Sequence, residues 1–164
     1  MTYLWESAIL IGATVTTGLN AGLFHVFAHS VMPGLGSLDD RDYLAAFGAV
    51  DRAIPNPWMG LAFIGSPALT AVALILHLSD GATALWLAAA LVGIITATAI
   101  TVAVNLPLNR ELQRAAPGFP EAGDLRRRFE SRWRRWNVVR TVAAVGALVA
   151  LGIALLDAGH QFAA

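Results

Sequence analysis

Three sets of polar residues in this chain have the types and spacing to do chemistry. His25 and His29 stand four apart, which puts both imidazoles on one helical face. An imidazole in apolar surroundings is held neutral, and in that form it serves as a general base or a metal ligand near pH 7. As metal ligands the two are incomplete. The Glu of the zincin pattern is missing, and only aspartates of the following connection could add carboxylates. Asn105 and Asn109, in Asn-Leu-Pro-Leu-Asn, repeat the spacing of four with neutral amides, which donate to a substrate oxygen without burying a charge. Trp133, Trp136, Asn137 and Arg140 share a helical face through offsets of three, four and seven. An arginine at the centre of a membrane helix costs about 2.5 to 3.5 kcal/mol on insertion scales. Arg140 therefore either snorkels to head groups or faces inward as a fixed positive charge for an anion. Purely architectural roles are open to all three sets. The histidines can be satisfied core or interface residues, the asparagines can end a helix kinked at Pro107, and the Arg/Trp run can anchor a helix at the head groups.

The elements that must position these residues are membrane helices. Of the 164 residues, 57% are hydrophobic and only 13% charged, about half the usual charged share of a soluble domain. Four stretches, about 9–31, 58–78, 84–106 and 138–156, are long and apolar enough to span a hydrocarbon core of about 30 Å. Residues 1–164 thus read as a single all-α domain, an integral membrane four-helix bundle. Helices are the element that satisfies every backbone polar group within one segment of lipid-exposed chain. The start of the chain has neither a basic region nor a small-residue cleavage site, so the first helix is expected to be retained. Gly18 and Gly22 form a small-xxx-small pattern that would let another helix approach closely.

Between the first two spans, Ser37 followed by Asp40 resembles a capping box. Tyr43, Leu44, Phe47, Val50 and Ile54 then recur at helical spacing, flanked by Asp42, Asp51 and Arg52. This predicts a short amphipathic helix, ended by Pro55-Asn56-Pro57. Residues 117–123 read as loop, and the Arg- and Trp-rich run 125–136 leads straight into the fourth span.

The net charge is zero, yet the eleven basic residues are all arginines and all fall in the first and third connections or one turn beyond, at Arg140. By the positive-inside rule both long connections are cytoplasmic and both termini outside, in a multi-pass protein of the cell (inner) membrane. Cysteine is absent, which removes disulfides, thiolate nucleophiles and Cys-ligated metal or haem. Nucleic acid is not an expected partner, since the arginine run abuts a span and no recognised fold accompanies it. The expected partners are the bilayer, a hydrophobic small molecule and, for so thin a bundle, further copies of the chain.

Read together, several segments resemble the anthrone oxygenase family of small membrane proteins. They are Gly22-Leu23-Phe24 leading to Val31-Met32-Pro33-Gly34-Leu35, then Ile54-Pro55-Asn56-Pro57, Val104-Asn105-Leu106-Pro107-Leu108-Asn109, and Trp136-Asn137-x-x-Arg140. The resemblance covers nearly the whole chain. It implies oxidation of a lipophilic polycyclic aromatic, anthrone to anthraquinone, by O₂ with no organic cofactor. On it, Arg140, Asn105 and Asn109 stabilise the phenolate or peroxide oxygen, and His29 or His25 takes the methylene proton. Trp136, Asn137 and Met32 contact the substrate. Asp51 stands where the family pattern leads one to expect an amide. Two other function classes fit the same residues: a non-enzymatic bundle that binds a lipophile or serves as an accessory subunit, and a metal- or haem-dependent oxidase using His25 and His29.

Overall fold

The computed structural model describes residues 2–115 and 121–163, so residues 117–120 of the anticipated loop lie outside the described residues. Four helical rods carry spans long and apolar enough to cross a membrane, at Leu4–Gly36, Pro57–Leu76, Gly81–Ala115 and Ala122–Gly159. The chain is thus a multi-pass membrane protein. The first rod is α1 (Thr2–Val26), a π-turn (Phe27–Val31) and α2 (Met32–Gly36). α3 (Asp40–Ala53) is the amphipathic helix, and α4 (Pro57–Leu76) is the second rod. The third is α5 (Gly81–Ile100), a second π-turn (Thr101–Asn105) and α6 (Leu106–Ala115). The fourth is α7 (Ala122–Ala163), whose 42 residues at roughly 1.5 Å rise each far exceed one bilayer core. Its first turns, including Gly123, are helix where a loop was expected.

Helix ends follow local chemistry. Asp39, not Ser37, caps α3, its Oδ1 accepting from the backbone N–H groups of Arg41 and Asp42 at 3.0 and 2.9 Å. Ser37 instead donates to the Gly34 carbonyl. Asn56 caps α4 by accepting from Met59 N–H at 3.1 Å, with Pro57 at the first helical position where its missing N–H costs nothing.

Neither Pro33 nor Pro107 stops its helix. Each follows a π-turn by two residues, and the backbone N–H groups of Met32 and Leu106 reach back five residues to Phe27 and Thr101. A proline has no N–H to donate and its ring crowds the carbonyl four residues earlier, so a widened turn just before it keeps the rod continuous. The two π-turns recur at the same spacing from their prolines, in the first and third rods.

α3 folds back against the bundle. Tyr43, Leu44 and Phe47 are fully buried in a cluster with Met32, Leu112, Phe129 and Trp133. Val50, expected on that stripe, is exposed. Close helix approach occurs at Gly93, where an added Cβ would lie 2.8 Å from the Ala143 carbonyl oxygen. Gly22 has nothing within 4 Å of such a Cβ, so the Gly18/Gly22 pattern is not the close contact here.

Candidate functional site

At the arginine-rich end the rods part around a cavity of about 360 Å³, within the range of small-molecule pockets. The first rod contributes Leu23, Phe24 and Phe27, α3 and its C-cap contribute Phe47, Asp51 and Ile54, and α4 contributes Met59, Gly60, Phe63 and Ile64. The third rod adds Thr98, Thr101, Asn105 and Asn109, and α7 adds Trp133 and Arg140. The walls are mostly aromatic and aliphatic, with polar groups at a few points. Ile64 and Val102 line the cavity yet are 70% and 59% exposed, so it opens sideways between α4 and the second π-turn.

Arg140 is only 7% exposed. Its Nε and one terminal nitrogen donate to Asn137 Oδ1 at 3.0 and 2.8 Å, and the other terminal nitrogen donates to Thr101 Oγ1 at 3.1 Å. Asn137 is itself fixed by donating to the Phe24 carbonyl at 3.1 Å, and Thr101 by donating to the Ala97 carbonyl at 2.8 Å. The guanidinium also lies 4.3 Å from the Phe24 ring centroid and 5.3 Å from that of Trp133. Among the described residues no carboxylate forms an ion pair with it. A guanidinium has five N–H donors, so two remain for a ligand. A buried cation held only by neutral groups is costly unless an anion completes it.

A second chain of contacts runs along the cavity's outer rim. Trp133 Nε1 donates to Asn109 Oδ1 at 2.8 Å, and Asn109 Nδ2 donates to Asp51 Oδ1 at 2.6 Å. Indole is a donor only, so it fixes which end of the Asn109 amide faces Asp51. Asp51 Oδ2 accepts from the exposed Gln113. Burial of the half-buried Asp51 carboxyl pushes its pKa above the ordinary value, while the bonds from Gln113 and Asn109 and the charge of Arg52 pull the other way.

Asn105 is 1% exposed and lines the same cavity, yet neither of its amide atoms has a hydrogen-bond partner among the described residues. Leaving such a group unsatisfied costs about 1 to 3 kcal/mol. A ligand or water in the cavity would recover it.

The structure therefore brings Arg140, Asn105 and Asn109 to one chamber, and with them Trp133 rather than Trp136. Trp133, Asn137 and Arg140 are buried along one α7 face, whereas Trp136 is partly exposed and off the cavity wall. Asn137 stands behind Arg140 as its support instead of facing a ligand. Met32 is fully buried under α3, with its sulfur 4.0 Å from the Tyr43 hydroxyl. His25 and His29 are exposed on the outer surface of the first rod, their rings 4.4 Å apart, and line no part of the cavity. The expectation that they share the chamber is corrected: the face of the first rod that turns inward carries Phe24 and Phe27. Asp51, a residue that flanks the apolar stripe in the sequence pattern and has no assigned role there, lies on the cavity wall. It lies four residues after Phe47 and seven after Leu44, and so continues that stripe.

The sequence model of a family described as anthrone oxygenase matches residues 57–150, more than half of the chain. The matched stretch includes Asn105, Asn109, Trp133 and Arg140, and begins after Asp51 and both helix-one histidines. No curated protein and no solved structure matches the chain.

Proposed function

This chain belongs to the anthrone oxygenase family, and from that premise we propose that it oxidises a lipophilic polycyclic aromatic with O₂, holding the substrate as its anion beside Arg140. The carrying observation is the buried guanidinium with no carboxylate partner on an aromatic-walled cavity. An anthrone-type methylene lies beside a ketone. Removing one of its protons moves the electron pair onto oxygen and gives an aromatic phenolate. The electron-rich anion then adds O₂ at the former methylene carbon, and the resulting hydroperoxide, once protonated, loses water to leave a second carbonyl. One O₂ is consumed and one water released per turnover.

Arg140 offers its two remaining N–H groups to the phenolate oxygen, and Asn105 Nδ2 supplies a neutral donor to the same ligand. Phe24, Phe63 and Trp133 provide faces and edges for a flat ring system. A water-poor site strengthens these contacts and needs no organic cofactor to activate so electron-rich an anion. We place the arginine-rich end in the cytoplasm, by the positive-inside rule.

Oxygen uptake by purified protein in lipid nanodiscs, supplied with an anthrone, tests this reading. Arg140→Met should lower turnover at least about 100-fold, the effect of removing one strong oxyanion donor, while the protein stays folded and inserted. Unchanged uptake in that variant would overturn the role of Arg140. Binding of the aromatic with no uptake in the wild type would instead support a lipophile-binding bundle.

A further inference from the structure

Oxidation through an anion requires a group to take the proton, and the histidines do not line the chamber. Among the cavity-lining residues, only Asp51 and Arg140 carry titratable side chains in the physiological sense, and Arg140 is the wrong one to accept a proton. Tyr43, one turn before Phe47 on the same face of α3, is buried under Arg126 and does not line the cavity, and His77 is buried at the opposite end of the bundle, bonded to the Ala73 carbonyl.

We infer that Asp51 is the general base of the proposed reaction: it takes the ligand's acidic C–H proton at the cavity rim and releases it to water on the aqueous side, where the exposed Gln113 lies. The inference rests on the reading of the cavity given above and deepens it. Each Asp51 oxygen accepts one amide N–H, from Asn109 or Gln113, and keeps a further lone pair for an incoming proton. Trp133 fixes the direction of the Asn109 amide, so the carboxylate faces donors at both oxygens and is oriented rather than free to rotate. The step balances without a redox partner. The C–H bond breaks, its electron pair passes into the ring system and onto the ligand oxygen facing Arg140, and the proton forms a carboxylic O–H on Asp51. Gln113 is exposed, so water there can take up that proton before the next turnover. The negative charge remains at depth with Arg140 while the proton leaves at the rim, which separates the two products of the ionisation.

Burial, the neutral amides Gln113 and Asn109 from α6, and Arg52 on its own helix set when Asp51 is ionised, and Arg140 is the other charged group lining the cavity, on α7. A base must be ionised to act. Because burial raises this carboxyl, the acid limb of the rate should lie higher in pH than a free aspartate would give.

Anaerobic exchange of an anthrone methylene with D₂O, followed by NMR, isolates the proton step from the oxidation. The wild type should accelerate exchange over buffer, and Asp51→Asn should lose at least about 100-fold of that acceleration, within the usual contribution of a general base. Binding of a non-ionising anthraquinone should stay within a few-fold in this variant. Asp51→Glu should recover part of the rate, with a shifted acid limb. Full exchange in Asp51→Asn would overturn the assignment, as would a wild-type profile flat across the acid range, a test that stands even if the variant fails to fold. Exchange without oxygen uptake would uphold Asp51 and remove the oxygenase reading. Uptake with full activity in Asp51→Asn would uphold the oxygenase and remove the base.

Discussion

Around Leu10, Leu87 and Leu151 the four rods meet through a cluster in which seven of eleven buried residues are alanine, whereas around Arg140 they are separated by rings and carry unfilled space. The alanine end lets backbones approach until Gly93 stands against the Ala143 carbonyl. Lipid tails are as apolar as leucine, so contact of this kind, and not hydrophobic exclusion, is what holds membrane helices together. The other end gives up that contact. Two π-turns, four phenylalanines and a buried cation occupy the space where small residues would otherwise close the bundle. The contrast teaches that the chamber is built at the expense of packing and depends on the alanine end for rigidity.

Asn137→Asp breaks this contrast most sharply. It would place a carboxylate on the atoms that already accept two bonds from Arg140, giving the guanidinium an internal counter-ion. Affinity for an anionic aromatic should fall at least tenfold, about 1.4 kcal/mol, as measured by titration of a phenolate ligand. The variant also loses the amide donor to the Phe24 carbonyl, so folding is checked alongside. Unchanged affinity would mean that the charge of Arg140 is not what the ligand meets.

Gly93→Val probes the packed end. Its side chain would enter space already held by the Ala143 carbonyl and the Ala147 methyl, at 2.8 and 3.0 Å from the new Cβ. The expected cost is about 1 to 3 kcal/mol, read as a lowered thermal midpoint in detergent. The folded fraction should bind ligand as the wild type does. A midpoint that does not move would show that the rods can part there freely.

How much of this was legible beforehand differs between the same two regions. The spans and the amphipathic helix follow from length, apolarity and spacing, whereas spacing left the direction of Arg140, Asn105 and Asn109 open and only the family resemblance implied their inward use. The sequence does not state the hand of rotation of a rod about its axis where a π-turn intervenes. A π-turn shifts the register across Phe27–Val31, yet His29 keeps the outward face of His25, which lies before the turn in α1. An apolar surround was also no guide for the histidines, because in a membrane protein the outer face is apolar too. Helical spacing groups Trp133 and Trp136 together, and only the packing of α7 turns Trp133 to the cavity and leaves Trp136 off its wall. Asp51 was legible in principle, since its offsets from Leu44 and Phe47 put it on the buried face.

The smallest effect sharpens the comparison from outside. His25 and His29 project from the first rod away from the cavity, and their imidazoles contact each other at a ring separation of 4.4 Å. Among the described residues no third histidine or carboxylate joins them to form a cluster that could hold a metal. If the chemistry belongs to the chamber, removing both imidazoles takes nothing from the substrate, from Arg140 or from Asp51. The double variant His25→Ala/His29→Ala should therefore keep oxygen uptake and methylene exchange within about twofold, with stability within the roughly 0.5 kcal/mol typical of surface substitutions. A tenfold fall in either rate would move a necessary group to the outer face of α1, and the division between a packed end and a reacting end would no longer account for the molecule.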